Sequence, residues 1–370
     1  VPKKKDHRIV HIRADRDDLA DAFGRANRAV GTRAALPILS GVLCKVMGSS
    51  LNITGTDLDI TVRTAVEVEV MEEGSFVVPA KLVTEAIRKM PAGQVTLRSD
   101  GQELVIEGRG PRFAIRELPV DEFPEVPEPD LNGAVTIDGA VFAEAVKQVV
   151  TAASVDSARP VLTGVQVEHD DDGVRLVATD SYRLAVRTLS GVTLDGSGLI
   201  PARALREVPA AIGSDAVAVA IGDREAAFGS PRGTVTVRLI EGAFPDYRRL
   251  LPDTYPNKVT LEKSVLLEAL GRASLVAEDH IPVRLKLSEG GVEVTVTRQD
   301  VGGEVEHIDG AYEGEAGEVV IAFNPRYHGE GIGAIGADSV EIHVRDGQKP
   351  SVIRGSEDED FLYLLMPIRI

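Results

Sequence analysis

The sequence contains three copies of one pattern, and this internal repeat constrains the fold more than any other feature. The segment Leu36–Val66 carries Leu-Ser-Gly-Val, then Thr-Asp, then Val-Arg-Thr. A second series opens in Val161–Val186 with Leu-Thr-Gly-Val and Thr-Asp, and its Val-Arg-Thr follows at 186–188. A fainter third copy occupies Pro282–Val305. Self-similarity of this kind indicates tandem structural units, so the fold is best analysed copy by copy.

A second marker fixes the length of the repeat. Val78-Pro79-Ala80 recurs at 200–202, and a related segment follows at 321–325. The offsets 200 − 78 and 322 − 200 are both 122 residues. Proline-containing stretches at 125–130 and 251–256 read as linkers between copies. The sequence therefore predicts three domains, at 1–130, 131–255 and 256–370.

Each copy follows the same order of elements. A helix comes first, for which Asp15 is a plausible N-cap in the first copy, and alternating strands follow. A second helix begins near the proline of the Val-Pro-Ala marker, and more strands close the copy. Alternating strands joined by short turns predict antiparallel sheets with both helices on one face. The expected fold class is α+β, as three tandem pseudo-repeat units whose strand edges could join into a ring.

Charge and cysteine content narrow the function classes. The chain has 41 basic and 58 acidic residues, a net charge of −17, which argues against a protein that coats nucleic acid with its whole surface. Its one cysteine, Cys44, lies in an alternating strand and is expected to be a buried small apolar residue in a reducing compartment. No apolar run approaches the ~18 residues of a spanning helix, and no secretory signal is evident, so a cytoplasmic location is expected.

Several motifs that could suggest chemistry are weak. Gly331, Gly333 and Gly336 match the spacing of a dinucleotide-binding loop, but they fall inside an expected helix rather than directly after a strand. They are expected to weaken that helix. Asp57 is interpreted as a turn acceptor rather than a metal ligand. The seven histidines form no cluster with ligand spacing, so we expect no cofactor, no metal and no catalytic residues.

The ordered motifs as a set resemble one family. They are Leu36-Pro37-Ile38-Leu39, Gly55-Thr56-Asp57-Leu58, Val78-Pro79-Ala80, Arg159–Gly164, Ala178–Leu184, Phe244–Arg249 and the terminal Met366-Pro367-Ile368-Arg369. In this order, and with the threefold repeat, they resemble the bacterial sliding clamp, the β subunit of DNA polymerase III, over the whole chain. The resemblance implies a head-to-tail homodimeric ring that encircles duplex DNA at the nucleoid and confers processivity on the replicative polymerase. It implies neither catalytic activity nor a cofactor.

The resemblance also implies that cationic helix residues line the hole. A ring that slides needs weak, sequence-independent contacts with phosphates. The expected DNA-binding residues are Arg33, Lys81, Arg88, Lys89, Arg203 and Arg206. Further cations on or beside the helices are Arg25, Arg28, Arg272 and Arg326.

A second implied site is a groove between the second and third copies, formed by aliphatic and Met side chains with Arg and Thr at its rim. The matching positions are Leu162, Thr179, Ser181, Tyr182, Arg183, Leu184, Pro245, Arg249, Leu250, Met366, Pro367, Ile368 and Arg369. The family implies that short linear motifs bind there, from the DNA polymerase III alpha subunit, the clamp loader, other polymerases, ligase and mismatch-repair proteins.

The dimer contact implied by the family joins the first copy to the third. The matching residues are Phe113 and Ile115 on one side and Leu275 and Val276 on the other. Apolar pairs that meet across an edge suit such a joint.

Two alternatives stay open. A specialised duplicate clamp, for example one that tolerates a clamp-binding inhibitor, would share the fold, and the glycine-rich helix is the one hint toward it. An enzyme on a threefold-repeated scaffold would instead require a clustered pocket of perturbed carboxylates.

Overall fold

The computed structural model describes residues 9–31, 36–213, 216–251, 254–277 and 281–369. The described residues form six α-helices, two in each copy of the repeat. They are Arg16–Ala26 (α1), Ala80–Lys89 (α2), Gly139–Val150 (α3), Ala202–Ile212 (α4), Lys263–Ala277 (α5) and Pro325–Ala334 (α6). None of these helices is long and apolar enough to cross a membrane.

The strands follow the repeat as well. The first copy contains Val10–Asp15 (β1), Gly41–Met47 (β2), Ser50–Thr56 (β3), Ile60–Glu67 (β4), Glu69–Glu72 (β5), Ser75–Pro79 (β6), Gln94–Ser99 (β7), Glu103–Glu107 (β8) and Arg112–Arg116 (β9). The second contains Val135–Asp138 (β10), Gly164–Asp170 (β11), Gly173–Thr179 (β12), Arg183–Ser190 (β13), Gly198–Pro201 (β14), Ala216–Ile221 (β15), Glu225–Ser230 (β16) and Gly233–Arg238 (β17). The third contains Asn257–Glu262 (β18), Val283–Ser288 (β19), Gly291–Arg298 (β20), Gly302–Gly314 (β21), Glu318–Phe323 (β22), Ser339–Val344 (β23), Ser351–Gly355 (β24) and Phe361–Leu365 (β25).

The chain forms two compact units. The first comprises residues 1–143 and 204–239, and the second comprises 144–203 and 240–370. The first unit holds a five-stranded sheet, in the order β5-β1-β7-β8-β9, and an eight-stranded sheet. The second unit holds a twelve-stranded sheet. Helices on antiparallel sheets confirm the predicted α+β class, whereas the three-domain division stays a prediction.

Strand pairs join the copies to one another within each unit. In the first unit β4 pairs with β17, and Arg63 lies opposite Thr234. In the second unit β13 pairs with β25, and Val186 lies opposite Leu362. Both joints are antiparallel and use the same strand of the repeat against the same closing strand of the next copy.

The core of the first unit shows why the local sequence folds as it does. Asp15 ends β1 and caps α1, since its side chain accepts a hydrogen bond of 2.8 Å from the Asp17 amide. Phe23 on α1 and Phe76 on β6 are fully buried in one apolar cluster. Cys44 is buried in the same cluster, and burial raises the pKa of its thiol. The expectation of an inert, buried cysteine is thus confirmed.

The Thr-Asp turn has the same hydrogen bonds in two copies. Asp57 Oδ1 accepts from the amides of Asp59 and Ile60, at 3.0 and 2.9 Å. Asp180 Oδ1 accepts from the amides of residues 182 and 183 in the same way. This confirms Asp57 as a turn acceptor. The residue after each aspartate, Leu58 or Ser181, has a positive φ of 78° or 81°.

Candidate functional site

The predicted groove residues lie in the second unit, and those expected to form its floor are buried. Leu184 is fully buried in an apolar cluster with Tyr247, Val177 and Leu364. Leu162 is 6% exposed and lies on the short 3-10 turn Pro160–Thr163. These two leucines are therefore structural supports of the site, and a partner would contact the side chains above them.

The exposed members of the predicted groove are large apolar side chains. Tyr182, Leu250 and Met366 are 59%, 42% and 36% exposed, respectively. Ser181, Pro245, Arg249 and Arg369 are also exposed, while Pro367 and Ile368 are half-buried. Backbone hydrogen bonds fix the chain end, since the Met366 amide donates to the Tyr182 carbonyl at 2.9 Å and the Ile368 amide donates to the Ala322 carbonyl at 2.8 Å.

Arg183 is the centre of a buried ionic network. Its side chain is 8% exposed. Nε donates to Asp180 Oδ2 at 3.0 Å, and Nη1 donates to Glu330. The guanidinium lies over the Tyr327 ring, 4.2 Å from its centroid. Burial lowers the pKa of Arg183, but Tyr363, Glu330 and Asp180 outweigh that effect and raise it above the ordinary value.

This network corrects the expectation that Thr179 and Arg183 form a polar rim. Thr179 is buried, and its hydroxyl donates to the Arg183 carbonyl at 2.7 Å, inside the turn. Arg183 is already committed to two carboxylates. The exposed cation is Arg249 instead, whose side chain is 85% exposed and pairs with Asp246 at 2.7 Å.

Helix α6 supplies three further groups to this site. Asn324 caps the helix by accepting from the Tyr327 amide at 3.1 Å, and Pro325 occupies its first turn. The Tyr327 ring stacks on Tyr182, with centroids 6.4 Å apart. The Tyr363 hydroxyl donates to the Tyr327 carbonyl at 2.8 Å. The sequence analysis missed Tyr327 and Glu330, although their i, i+3 spacing on a helix indicates a shared face.

The glycines of α6 belong to this packing. A Cβ added to Gly331 would lie 2.1 Å from Tyr363 Cε1, whereas Gly329 and Gly333 face open space. The segment is helical throughout and is not a loop between a strand and a helix, so the dinucleotide-loop geometry is absent here.

The predicted DNA-binding cations divide by their surroundings. Lys81, Lys89 and Arg206 are exposed on helices α2 and α4. Arg88 is exposed and pairs with Glu85 at 3.3 Å. Arg203 is also exposed. Arg33 lies outside the described residues.

Three of the other cations near the helices are engaged within the chain. Arg25 is 8% exposed, and its Nη1 donates to the Arg232 carbonyl at 2.6 Å, so it offers no free charge. Arg28 pairs with Glu207 at 2.9 Å. Arg272 pairs with Glu306 at 2.7 Å.

Two strand edges are unpaired among the described residues. β9 pairs only with β8 and ends the five-stranded sheet. The bonds Glu117 N–H to Gln102 O and Gly108 N–H to Pro111 O set the alternation, so the amides of 112, 114 and 116 point away from β8. The first half of β21, residues 302–309, pairs with β20 alone. The bond from the Gly310 amide to the Gly290 carbonyl shows that 303, 305 and 307 point away from β20.

The predicted dimer residues lie near these edges. Phe113, on β9, is 36% exposed and Leu275, on α5, is 82% exposed. Val276 is half-buried. Ile115 is 4% exposed and belongs to the core cluster of its own unit. Ile115 thus supports the edge from below and presents little surface of its own.

Within the described residues, no group of three or more His, Cys, Asp or Glu side chains could hold a metal ion. Burial is the largest cause of the raised pKa of Glu117 and of Glu304. These two carboxylates lie on different units, so they do not form the clustered pocket that the enzyme alternative requires.

Repeated α+β copies joined strand to strand, with exposed cations on their helices, define a clamp-type repeat protein. Profiles of the N-terminal, central and C-terminal domains of the DNA polymerase III beta subunit match residues 10–127, 136–246 and 248–369. The chain belongs to this family, the bacterial sliding clamps.

Individual relatives support the assignment. The chain is 34% identical to the beta sliding clamp of Streptomyces coelicolor, over 97% of this chain and 99% of that protein. It is 32% identical to the beta sliding clamp homolog GriR of Streptomyces muensis, over 97% and 99%. Its fold matches the DnaN sliding clamp of Pseudomonas aeruginosa bound to griselimycin, with a TM-score of 0.90 and 26% identity, covering 98% of this chain and 100% of that one.

Proposed function

We propose that this chain closes into a head-to-tail homodimeric ring around duplex DNA and acts as a processivity factor. One observation carries the proposal. The repeat makes two of its three possible strand joints within the chain, β4 with β17 and β13 with β25, and leaves the third pair of edges open. Those open edges belong to β9 and β21. Two chains related head to tail would use both edges twice and leave neither exposed.

The register of the two internal joints can be transferred to the third. Arg63, Val186 and Val305 each lie four residues before the end of the corresponding hairpin pairing, at 67, 190 and 309. Arg112 corresponds to Thr234, because each lies four residues before an arginine that faces a glutamate, Arg116 or Arg238. The transferred register pairs residue 112 with 305 and 114 with 303.

All four of these amides already point away from their own sheets, as antiparallel pairing requires. This agreement is independent of the register transfer, because it comes from the hydrogen bonds inside each unit. Charge favours the same partner. The segment 109–116 carries three arginines, and the open half of β21 carries Glu304, Glu306 and Asp309. Opposite charges favour β9 against β21 and disfavour β9 against a second β9.

The proposed site for DNA is the set of helices that carry Lys81, Arg88, Lys89, Arg203 and Arg206. The proposal needs no catalytic group, since topology rather than affinity retains the ring. The exposed apolar side chains Tyr182, Leu250 and Met366 are proposed to receive short linear motifs of replication and repair proteins, including the polymerase and the clamp loader. The protein would then act in the cytoplasm, at the nucleoid.

Retention on closed DNA tests the function. The protein is loaded with a clamp loader onto nicked circular DNA, the DNA is linearised in moderately high salt, and release is followed. Release on linearisation alone supports topological linkage. Equal loss from circular and linear DNA would mean ordinary electrostatic binding and would refute the ring.

The cations make a separate prediction. Lys81→Ala, Lys89→Ala and Arg206→Ala should each lower the slope of log K against log salt by about 0.9 for duplex DNA, because each removes about one phosphate contact. Binding of the free protein to a labelled duplex across a salt series measures this slope. Lys349→Ala is the matched control, since Lys349 is exposed in a turn outside the helices. Unchanged slopes in all three variants would remove these helices from the DNA-facing surface.

A second candidate function is that of a duplicate clamp that tolerates a clamp-binding inhibitor. The observation that favours it is the identity to the GriR homolog, which is nearly as high as the identity to the Streptomyces coelicolor clamp. Griselimycin affinity separates the two roles. Binding much weaker than to the Streptomyces coelicolor clamp would support tolerance, and equal binding would dismiss it.

A further inference from the structure

A cavity of about 770 Å³ lies in the first unit, between the outer face of β2–β4 and the chain segment that follows the first copy. Strand residues Leu43, Lys45 and Thr54 form one wall, and Phe123 and Val126 form the other. This volume lies within the range of pockets that hold small ligands. The predicted groove residues are in the second unit, so this cavity is separate from them.

The repeat shows what the second copy places at the same position. Phe123-Pro124-Glu125-Val126 corresponds to Phe244-Pro245-Asp246-Tyr247, so Val126 stands where the second copy has Tyr247. The Tyr247 ring is 2% exposed and packs in one cluster with Val177 and Val186. The second copy therefore fills its slot with its own aromatic ring.

The polar end of that ring also has a counterpart. The Tyr247 hydroxyl donates to Glu168 Oε1 at 2.8 Å. Lys45 lies four residues after Gly41, as Glu168 lies four after Gly164, so the first copy has a cation at the position of this carboxylate. Thr54 and Arg63, the counterparts of Val177 and Val186, line the same cavity. Each of these neighbours of Tyr247 thus corresponds to a residue that lines the cavity.

The charges around the cavity single out Lys45. Arg63 donates to the carbonyls of Val126 and Pro127, and lies 3.9 Å from Glu128. Its charge is thus engaged with the covering segment. Glu125, on the same segment, is exposed. Lys45 is exposed and has no ion-pair partner among the residues that the structure describes.

We propose that this cavity binds a small aromatic carboxylate. The ring takes the place that Tyr247 occupies in the second copy, against Leu43, Phe123 and Val126, and the carboxylate pairs with Lys45. The site does not depend on ring closure or on DNA, so its test is independent of the proposed function.

The full-length protein is titrated with 3-phenylpropionate and with the neutral 3-phenylpropanamide, and binding is followed by saturation-transfer NMR and calorimetry. The acid should bind about tenfold more tightly than the amide, since a charge-assisted hydrogen bond contributes this much. No binding of the acid, or equal binding of both compounds, would overturn the proposal.

Two variants localise the binding. Val126→Tyr fills the slot as the second copy does, and should abolish binding of both compounds. Lys45→Glu places the charge of the second copy in the cavity, and should weaken the acid at least about tenfold while leaving the amide unchanged. Lys45 is exposed, so this variant still decides the matter if Val126→Tyr fails to fold. Undiminished binding of the acid to Lys45→Glu would place the ligand elsewhere and refute the site.

Discussion

Ala114→Pro should convert the proposed dimer into monomers. Ala114 is exposed at the centre of β9, and its amide points away from β8 toward the open edge. Proline there leaves the ladder with β8 intact, because an outward position donates nothing to it. Inside a completed joint, however, proline removes a hydrogen bond and its ring clashes with the added strand, which costs about 3 kcal/mol.

The ring contains this joint twice, so the cost doubles to about 6 kcal/mol, or roughly a 10⁴-fold weaker dimer. Sedimentation over a concentration series measures this, and loss of retention on circular DNA should accompany it. Ala114→Val is the matched control, because valine keeps the amide and suits a strand. Circular dichroism and thermal unfolding of the isolated variants establish that each chain is still folded.

A complementation experiment sharpens the test. Val305→Pro should also give monomers, because Val305 lies opposite residue 112 in the transferred register and its amide points outward. A mixture of Ala114→Pro and Val305→Pro chains can form one intact joint, from the normal β9 of one and the normal β21 of the other. Open, singly joined dimers are therefore expected. An Ala114→Pro chain that stays dimeric at low concentration, or a mixture that stays monomeric, contradicts the β9–β21 joint.

The parts of this architecture that depend on neighbouring residues could be predicted from the sequence. The Asp15 cap and the Asp57 turn involve partners within three residues, so composition and spacing were sufficient. Cys44 lies in an alternating strand, and alternation alone predicts its burial. The repeat predicted the order of the elements, because each copy supplies the same local signals.

The parts that depend on distant partners could not be predicted. Arg183 was expected at a polar rim, but Glu330, 147 residues away, holds it in a buried network. Nothing in the local sequence indicates that partner. The open edges were missed for the same reason, since the sequence does not state which strand pairs with which. Only the observed β4–β17 and β13–β25 pairings identify β9 and β21 as the unused pair.

The glycine-rich helix was expected to be a weak element, and the packing of Gly331 suggests a different interpretation. Gly331→Ala should destabilise the second unit. Its Cβ would lie 2.1 Å from the Tyr363 ring, which is fully buried and anchored through its hydroxyl to the Tyr327 carbonyl. The ring cannot move aside without breaking that bond, so overpacking should cost about 2 kcal/mol despite the better helix propensity of alanine.

The same helix supplies matched controls for this prediction. Gly329→Ala and Gly333→Ala place a methyl group in open space, so each should raise the free energy of unfolding by up to about 1 kcal/mol. Urea unfolding of the three variants measures the difference in sign. A second change, Tyr363→Leu, should cost less in the Gly331→Ala background than alone, because it removes the clashing ring edge. If Gly331→Ala stabilises the protein as its two neighbours do, then Gly331 is not held by Tyr363, and the glycines only weaken the helix that carries Tyr327 and Glu330.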